Sequence, residues 1–408
     1  MNLRNVKKDD IVDWLILINI ICTYCFDGMP FIGKVSKVFL VMLIVVGFFQ
    51  SVIKKKLIIN WTIILTLLFT CYCYFLKEYQ QGEWSRLFGI NAQTAITVTL
   101  AVMVFTVIYC YADSIEKREK IISHIAVAGV WLSVVTVLLV RTRIFGGLHA
   151  AGMVEYLGRY GLQSNQMGVC WGFSLLAGLY LFKQYKKNKY LYYMIINVLF
   201  LVLTGSRKAL IYLFIGAFVF YVLSGEKNKL FRLLSGVALL YLGYLALIYI
   251  PALYNLVGER ILSLLDVLNG RTGTDTTSTR FYMIQYGLTL ISQNPIWGHG
   301  FNFFSVAYGY RHGNQVYSHN NYIEMMVSGG AVLTVLYYSR FFIVIKRLYA
   351  SLKENNEAVL FIAMMMAMLV ADIAAVTYYY RIYYIIFAVA SACAYANRNP
   401  EKHEGEDI

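Results

Sequence analysis

Residues 121–140 read IISHIAVAGVWLSVVTVLLV, an apolar run that contains no Asp, Glu, Lys or Arg. A helix needs about 20 apolar residues to cross the hydrocarbon core of a bilayer, and this run has that length. Comparable runs recur along the chain, which is 59% hydrophobic and only 14% charged. Soluble domains carry about 25% charged residues. The sequence therefore predicts an all-α, polytopic membrane protein.

About twelve apolar runs are predicted to be membrane spans. They are 11–26, 35–53, 57–76, 94–112, 121–140, 166–182, 190–205, 208–224, 230–250, 320–345, 357–376 and 380–396. No Pro/Gly/Ser-rich linker divides them, so residues 1–408 are predicted to form a single membrane domain. Segment 251–319 is predicted to be a large extracytoplasmic loop with short helices between spans nine and ten. Segment 397–408 is predicted to be a polar cytoplasmic tail.

The net charge of +14 comes from cations in short clusters between the apolar runs. Such clusters are typical of cytoplasmic loops of membrane proteins, and they argue against a nucleic-acid-binding surface. With the N-terminus inside, the inside segments carry more cations, mostly lysine, so both termini are predicted to be cytoplasmic. The outside cations are mostly arginine, whose planar fork binds phosphate or carboxylate through two hydrogen bonds. This asymmetry indicates an anionic ligand on the outer face, with local composition as the alternative explanation.

Two arginines follow short polar segments on the outer side. Arg207 comes directly after the turn 204–206, where it either binds an anion or reaches out to the membrane interface. Arg280 follows the Thr/Ser run 276–279, which offers N-cap residues for a helix too polar to span. We expect Arg280 in the first turn of that external helix, where free N–H groups already favour an anion. A cation at this position indicates a negatively charged partner.

Histidines and amides add further candidates. His319 stands at the mouth of span ten beside the amide of Asn320, opposite the two arginines, which favours a chemical role. His299 lies in a loop between glycines, where it either binds substrate or packs the loop. Arg159 and Asn165, at the entrance of span six, either bind sugar hydroxyls or cap the helix.

Several common catalytic motifs are absent from the sequence. It contains no Gly-rich nucleotide loop, no paired Asp/Glu motif, no Gly-x-Ser-x-Gly and no metal-spaced His/Cys cluster. The sequence therefore predicts neither a metal nor a cofactor.

The polar segments together resemble the superfamily of O-antigen ligases and O-antigen and capsular polysaccharide polymerases. The segments that carry the resemblance are Gly161…Asn165…Gly168, Thr204-Gly205-Ser206-Arg207, Arg280, Asn294-Pro295-Ile296-Trp297-Gly298-His299-Gly300, Ser318-His319-Asn320-Asn321-Tyr322 and Ser328-Gly329-Gly330. They span about residues 159–330, and the twelve-helix layout extends the resemblance to the whole chain.

The resemblance implies an enzyme of the bacterial cytoplasmic membrane with an extracytoplasmic active site. The resemblance also implies a metal-independent, inverting glycosyltransferase, which moves a glycan from undecaprenyl diphosphate to a hydroxyl group. By resemblance, Arg207 and Arg280 bind the diphosphate and His319 activates the acceptor hydroxyl. The remaining candidates for substrate binding are Arg159, Asn165, His299 and Asn320.

Three functions remain open at this stage. The first is a polymerase that extends a capsule or O-antigen by joining lipid-linked repeat units. The second is a ligase that moves a finished glycan to lipid A core, protein or another wall acceptor. The third, a flippase or transporter, lacks the repeated halves that many transporters show. The expected partners are a lipid-linked oligosaccharide, membrane lipid, a chain-length regulator and a flippase, and no nucleic acid.

Overall fold

The computed structural model describes residues 11–29, 32–53, 59–79, 93–141, 147–148, 152–225, 228–255, 262 and 276–396. Within these residues the regular secondary structure is helical. The helices are α1 (Ile11–Cys25), α2 (Ile32–Ile53), α3 (Trp61–Tyr79), α4 (Gln93–Tyr111), α5 (Ile115–Val140), α6 (Met153–Arg159), α7 (Ser164–Tyr185), α8 (Asn188–Leu203), α9 (Arg207–Leu223), α10 (Lys229–Tyr249), α11 (Pro251–Leu253), α12 (Thr276–Gln293), α13 (Phe303–His312), α14 (Asn321–Ala350), α15 (Asn356–Ala371) and α16 (Arg381–Tyr395).

Each of the twelve predicted spans overlaps one of the helices α1–α5, α7–α10 and α14–α16. Within the described residues, five of these helices are long and apolar enough to cross a membrane: α2, α4, α5, α10 and α14. The all-α prediction is therefore confirmed, and the composition agrees with a polytopic membrane protein. That all twelve helices cross the bilayer stays a prediction, and the tail 397–408 lies outside the described residues.

Some helices begin or end several residues away from the predicted span boundaries. The fifth helix begins at Ile115, six residues before the predicted span, because charged residues continue the helix beyond the apolar run. The predicted span 357–376 extends past α15, which ends at Ala371 because the chain turns at Asp372. Within segment 251–319, the structure describes α11, α12 and α13.

Consecutive long helices run in opposite directions between two ends of the bundle. At the first end, six side-chain contacts join the helix termini: Asp13–His124, Thr62–Tyr395, Arg118–Glu357, Glu119–Tyr180, Lys183–Ser224 and Asn355–Cys393. This end also holds Lys117, Lys120, Lys183, Lys186, Lys187 and Lys353, and we call it the lysine end. The first helix starts there and the last helix ends there.

The opposite end, which we call the site end, contains the loops that carry most of the predicted site residues. There the start of α16 meets the end of α1 through Arg381 Nη2 and Asp27 Oδ1, 3.2 Å apart. The start of α14 meets the end of α15, since the Asn321 N–H donates to the Asp372 carbonyl oxygen at 2.7 Å. Helices α12 and α13 pack against α14 at this end.

The centre of the bundle is formed by α15 and α16, in which nearly every side chain is buried. Both helices are apolar on all faces, and a helix of this kind is stable only when other helices or lipid surround it. Helix α10 is the opposite case, because it exposes Leu230, Phe231 and Leu234 on its outer side. In a membrane these side chains contact lipid.

A break in α14 holds the loop 294–300 in place. Gly330 has φ 61° and ψ −158°, which interrupts the helix and frees backbone groups around it. The loop pairs with these groups: the Gly300 N–H donates to Ser328 at 2.7 Å, and the Ala331 N–H donates to Pro295 at 2.8 Å. A Cβ atom on Gly330 would lie 2.2 Å from the Ile296 carbonyl oxygen, so only glycine permits this approach. The glycine-containing segments 294–300 and 328–330 of the sequence therefore pack directly against each other.

Candidate functional site

His319 lies in the turn that leads into α14, with a left-handed backbone φ of 56°. This conformation is uncommon for residues other than glycine, and strained residues of this kind cluster at functional sites. The Ser318 hydroxyl stabilises the turn by donating to the Asn320 carbonyl oxygen at 2.8 Å. Asn320 then caps α14, because its Oδ1 accepts the Ile323 N–H at 3.1 Å. The half-buried His319 ring is thereby oriented through its backbone.

Two buried carboxyl groups surround this turn, and neither was among the predicted site residues. Glu324, in the first turn of α14, accepts the Ser318 N–H at 3.0 Å. The Asp372 carboxylate accepts hydrogen bonds from the Tyr338 hydroxyl at 2.9 Å and from Asn321 Nδ2 at 3.2 Å. Both acids lie inside predicted spans, and ionisable residues at such positions are functional candidates by default. That signal was available in the sequence.

Helix α12 brings Arg280 to the same turn. Gly287 of α12 packs on the first turn of α14, since a Cβ atom there would lie 2.3 Å from Ile323 Cγ2. Arg280 lies seven residues earlier, two helical turns away on the same face of α12. It is half-buried, and its charge acts on His319 and Tyr317.

The prediction that Arg280 lies in the first turn of its helix was wrong. Helix α12 begins at Thr276, so the Thr/Ser run 276–279 forms the first turn and Arg280 begins the second. A short hydroxyl-bearing residue can either cap a helix or continue it, and the sequence pattern does not separate the two.

Arg207 and Lys208 are the first two residues of α9, and both are half-buried. The turn before them is stabilised by its own hydroxyl groups. Thr204 Oγ1 accepts the Ser206 N–H at 3.1 Å, and Ser206 Oγ accepts the Ala209 N–H at 3.3 Å. The predicted tight turn is therefore present, and it places two cations at a helix start where N–H groups also favour an anion.

Lys208 is the residue that the sequence interpretation missed. Its ammonium group lies close enough to Arg280, His319 and Asp372 for their charges to interact. The sequence offered one signal, its position next to Arg207 on the outer side, but no role was predicted for it. The structure thus brings a lysine of α9, an arginine of α12 and the histidine before α14 together at the site end.

The electrostatic environment keeps His319 neutral. Burial, and then the positive charges of Arg280 and Lys208, lower the pKa of His319 to about 4. The Tyr317 ring packs on the imidazole with 4.2 Å between ring centroids. Burial raises the pKa of the Tyr317 hydroxyl, which therefore stays protonated. A neutral imidazole keeps a ring nitrogen free to act as a proton acceptor near pH 7, although the two cations make it a weaker base.

Two cavities open beside this group. The first, which we call the α7 cavity, has a volume of about 410 Å³ and is lined by Tyr24, Lys37, Gln163, Tyr380 and Arg381 among others. The second, the α13 cavity, has about 360 Å³ and is lined by Asn302, Ser305, Gln315, Tyr317 and Glu324 among others. Thr97 and Tyr379 line both cavities. Volumes of this size suit small organic ligands.

The other predicted residues lie at different distances from the histidine turn. Asn165 is half-buried in the first turn of α7, one turn before Gly168. A Cβ atom on Gly168 would lie 2.6 Å from Ala209 Cβ, so this part of α7 packs directly on the start of α9. Arg159 is 70% exposed and pairs with Glu155 at 2.9 Å on its own helix, so it does not join the cluster.

His299 is held by contacts within its loop. Its Nε2 lies 2.9 Å from the Leu290 carbonyl oxygen, its N–H donates to Val327 at 2.8 Å, and its ring stacks on Phe303. These contacts match the loop-packing interpretation that the sequence left open. Asn320 contributes to the site by capping α14 through its Oδ1, which helps to fix the histidine turn.

No group of three or more His, Cys, Asp or Glu side chains that could hold a metal ion is present among the described residues. The candidate site combines fixed cations, a neutral imidazole, the buried carboxyl groups of Glu324 and Asp372 and further hydrogen-bonding groups.

Comparison with known families gives one match. Residues 192–338 match the family model described as O-antigen ligase, and this match supports the superfamily suggested by the sequence. The matched segment contains Arg207, Lys208, Arg280 and His319 but excludes Asp372. No curated protein matches the chain.

Proposed function

We propose, from the O-antigen ligase match over residues 192–338, that this membrane protein is a polysaccharide polymerase acting on lipid-linked repeat units. It transfers the growing glycan from undecaprenyl diphosphate to a hydroxyl of the next lipid-linked repeat. The observation that carries the proposal is the group of Lys208, Arg280 and His319 at one end of the bundle. Arg207, next to Lys208, completes the cationic part of the site.

The cations act on the leaving group. When the bond between the sugar C1 and the diphosphate oxygen breaks, negative charge grows on the diphosphate. Arg207 and Arg280 present planar forks that bind phosphate oxygens in pairs, and Lys208 adds a point charge. Positive groups that are already in place stabilise the transition state more than the ground state, and one such donor contributes about 3 kcal/mol.

His319 acts on the acceptor. Its neutral ring accepts the proton of the acceptor hydroxyl while that oxygen attacks C1 and the diphosphate leaves from the opposite side. A single displacement of this kind inverts the configuration at C1. The step requires no metal, since Arg207, Arg280 and Lys208 balance the charge of the leaving group. A well-placed general base typically accelerates a reaction by about 10²–10⁴-fold.

The distribution of lysines supports an orientation. Cytoplasmic segments of membrane proteins are enriched in Lys and Arg, so we assign the lysine end to the cytoplasm. The site end, with His319, then faces the outer side of the bacterial cytoplasmic membrane. In this orientation both termini are cytoplasmic, and a flippase would deliver the lipid-linked repeat to the site. A chain-length regulator is the further partner expected.

The second candidate is a ligase that transfers a finished glycan to lipid A core, protein or another wall acceptor. The specific observation in its favour is the description of the matching family as O-antigen ligase. Both reactions use the same leaving group and the same base, and they differ only in the acceptor.

Mass analysis of lipid-linked glycans in a deletion strain separates the two. A polymerase deletion accumulates single repeats on undecaprenyl diphosphate, whereas a ligase deletion accumulates full-length chains. An unchanged lipid-linked pool would contradict both functions.

A further inference from the structure

We propose that the α13 cavity, next to the Tyr317–His319 ring contact, binds the acceptor sugar, and that the α7 cavity, next to the void lined by Lys208, binds the donor glycan. This assignment rests on the proposed function and adds to it a separate binding site for each substrate. Nothing in the family match assigns either cavity.

The α13 cavity adjoins the base. Tyr317 lines this cavity, and its ring packs on His319 with 4.2 Å between centroids. A sugar bound against Tyr317 therefore lies beside the imidazole, which accepts its proton directly or through one water. The hydroxyl group of the acceptor has a short path to the His319 ring.

The α7 cavity adjoins the cations. It shares Gln166, Cys170 and Tyr380 with a small neighbouring void that Lys208 lines. A glycan in this cavity therefore has its diphosphate end near Lys208, where the leaving group needs positive charge. The two cavities thus adjoin the reacting group at different residues, the α13 cavity at the base and the α7 cavity at Lys208.

The charged residues that line the two cavities agree with this assignment of acceptor and donor. Glu324 is the charged side chain among the described residues that line the α13 cavity, and a carboxylate repels a diphosphate. The α7 cavity is lined by Lys37 and Arg381, with Asp27 paired to the arginine. An anionic donor is therefore directed to the α7 cavity, and an uncharged or amino sugar to the α13 cavity.

The wall between the cavities is thin. Tyr379 and Thr97 line both, so one ring and one hydroxyl group separate the two sugars. Tyr379 is half-buried in the turn before α16, and it can contact either ligand. This arrangement places two saccharides side by side, as a transfer from one to the other requires.

Two probes separate the substrates in an experiment. The donor is the lipid-linked repeat extracted from the deletion strain. The acceptor is the oligosaccharide released from it by mild acid, which lacks the diphosphate and cannot act as a donor. Extended acceptor stays in the aqueous phase after extraction with butanol, so its formation is measured apart from the lipid-linked product.

Two matched substitutions fill one cavity each. Ser305→Trp fills the α13 cavity, and Gln163→Trp fills the α7 cavity from a residue that makes no side-chain cap bond to α7. We expect Ser305→Trp to raise the KM for the soluble acceptor about tenfold while the KM for the donor stays within about twofold. We expect Gln163→Trp to do the reverse.

Each variant needs a control for correct folding. Thermal melting of each purified variant within a few degrees of wild type shows that it is folded. If a folded Ser305→Trp variant changes the donor KM as much as the acceptor KM, the assignment of the cavities is overturned. If the wild-type protein transfers no sugar to the soluble oligosaccharide or to a second lipid-linked repeat, the proposed function itself is overturned.

Discussion

The Tyr317 ring packs against the His319 ring, with 4.2 Å between their centroids and 45° between their planes. This contact covers one side of an imidazole that already has a left-handed backbone and two cations nearby. The histidine is therefore neutral and oriented, so a ring nitrogen is available to accept a proton. The cations that lower its pKa are the groups that stabilise an anionic leaving group.

Arg280→Lys is expected to lose most of the transfer activity, by about 10²–10³-fold in kcat, while the protein still inserts into the membrane. The charge remains, but an ammonium group cannot form the paired hydrogen bonds of the guanidinium fork. Polymer length on gels measures the effect in cells. Arg311→Lys, on the neighbouring helix α13 and stacked over Tyr286, is the matched control and keeps normal polymer. Normal polymer in the Arg280→Lys strain would contradict the diphosphate role.

His319→Asn is expected to bind the lipid-linked donor normally but to transfer its glycan about 10²–10⁴-fold more slowly. Asparagine tolerates the left-handed backbone of this position, so the effect reports the lost base and not backbone strain. Donor binding is measured by photo-crosslinking and transfer by product analysis. His312→Asn, at the exposed end of α13, serves as the control. Transfer at the wild-type rate would show that His319 is not the base.

The activity is expected to stay constant on acidification to about pH 5, because the base loses activity only when it becomes protonated. The ordinary pKa of histidine is 6.5, but in this site the pKa of His319 is lowered to about 4. The acid limb of kcat/KM therefore lies near the lower value. An acid limb centred at the ordinary value would contradict the burial and charge described for His319.

Lys208→Met is expected to move the acid limb of the kcat/KM profile to a higher pH. The substitution removes a positive charge that disfavours the imidazolium form, so the pKa of His319 rises toward its ordinary value. The position of the limb is read from the pH profile even though the rate also falls. Lys34→Met, an exposed residue at the start of α2, is expected to leave the limb unchanged. A limb that does not move in Lys208→Met would remove this lysine from the site.

The same lowered pKa has a consequence for stability. As the pH falls below the ordinary pKa of 6.5, the unfolded chain takes up a proton at residue 319 before the folded protein does. The contribution of His319 to the free energy of unfolding therefore falls progressively as the pH drops from that value toward about 4.

Gly330→Ala is expected to destabilise the protein and to lower its activity at least about tenfold, since small displacements of catalytic groups are costly. Its methyl group would lie 2.2 Å from the Ile296 carbonyl oxygen and push away the loop that precedes α13. Gly313→Ala is the matched control, because its φ of 75° is also left-handed but no atom lies within 4 Å of the added methyl. Thermal melting compares the two, and equal melting temperatures would contradict the loop contact.

Glu357→Gln is expected to lower the free energy of unfolding by about 3–5 kcal/mol, because it leaves the buried Arg118 without its partner. Replacing both residues by methionine removes the uncompensated charge, so the double variant is expected to be more stable than the single one. Lys117→Met breaks an exposed pair with Asp113 and is expected to cost less than about 1 kcal/mol. Equal losses in Glu357→Gln and Lys117→Met would contradict the burial of the pair.

The positions of the helices could be predicted from the sequence because a run of apolar residues is a strong and local signal. The runs at 190–205 and 208–224 even located the turn before Arg207, where α8 ends and α9 begins. The start of α12 could not be predicted, because threonines before Arg280 fit both a cap and a first turn.

The composition of the site was harder to predict than the fold. Arg280 and His319 were predicted from the polar segments around them, and the resemblance then supplied their roles. Lys208, Glu324 and Asp372 were missed, because their role depends on which helix starts and ends meet in space. Arg159 lies apart from these residues, with an exposed side chain paired with Glu155, and its role in substrate binding stays a prediction.

The most direct test of the account measures the release of undecaprenyl diphosphate from a radiolabelled lipid-linked repeat in membranes that contain either the wild-type or the His319→Asn protein. We predict release together with glycan transfer in the wild type, and about 100-fold less release in the variant. Equal release by the two proteins, or no release by the wild type, would contradict the claim that this site breaks the bond between a glycan and a lipid diphosphate.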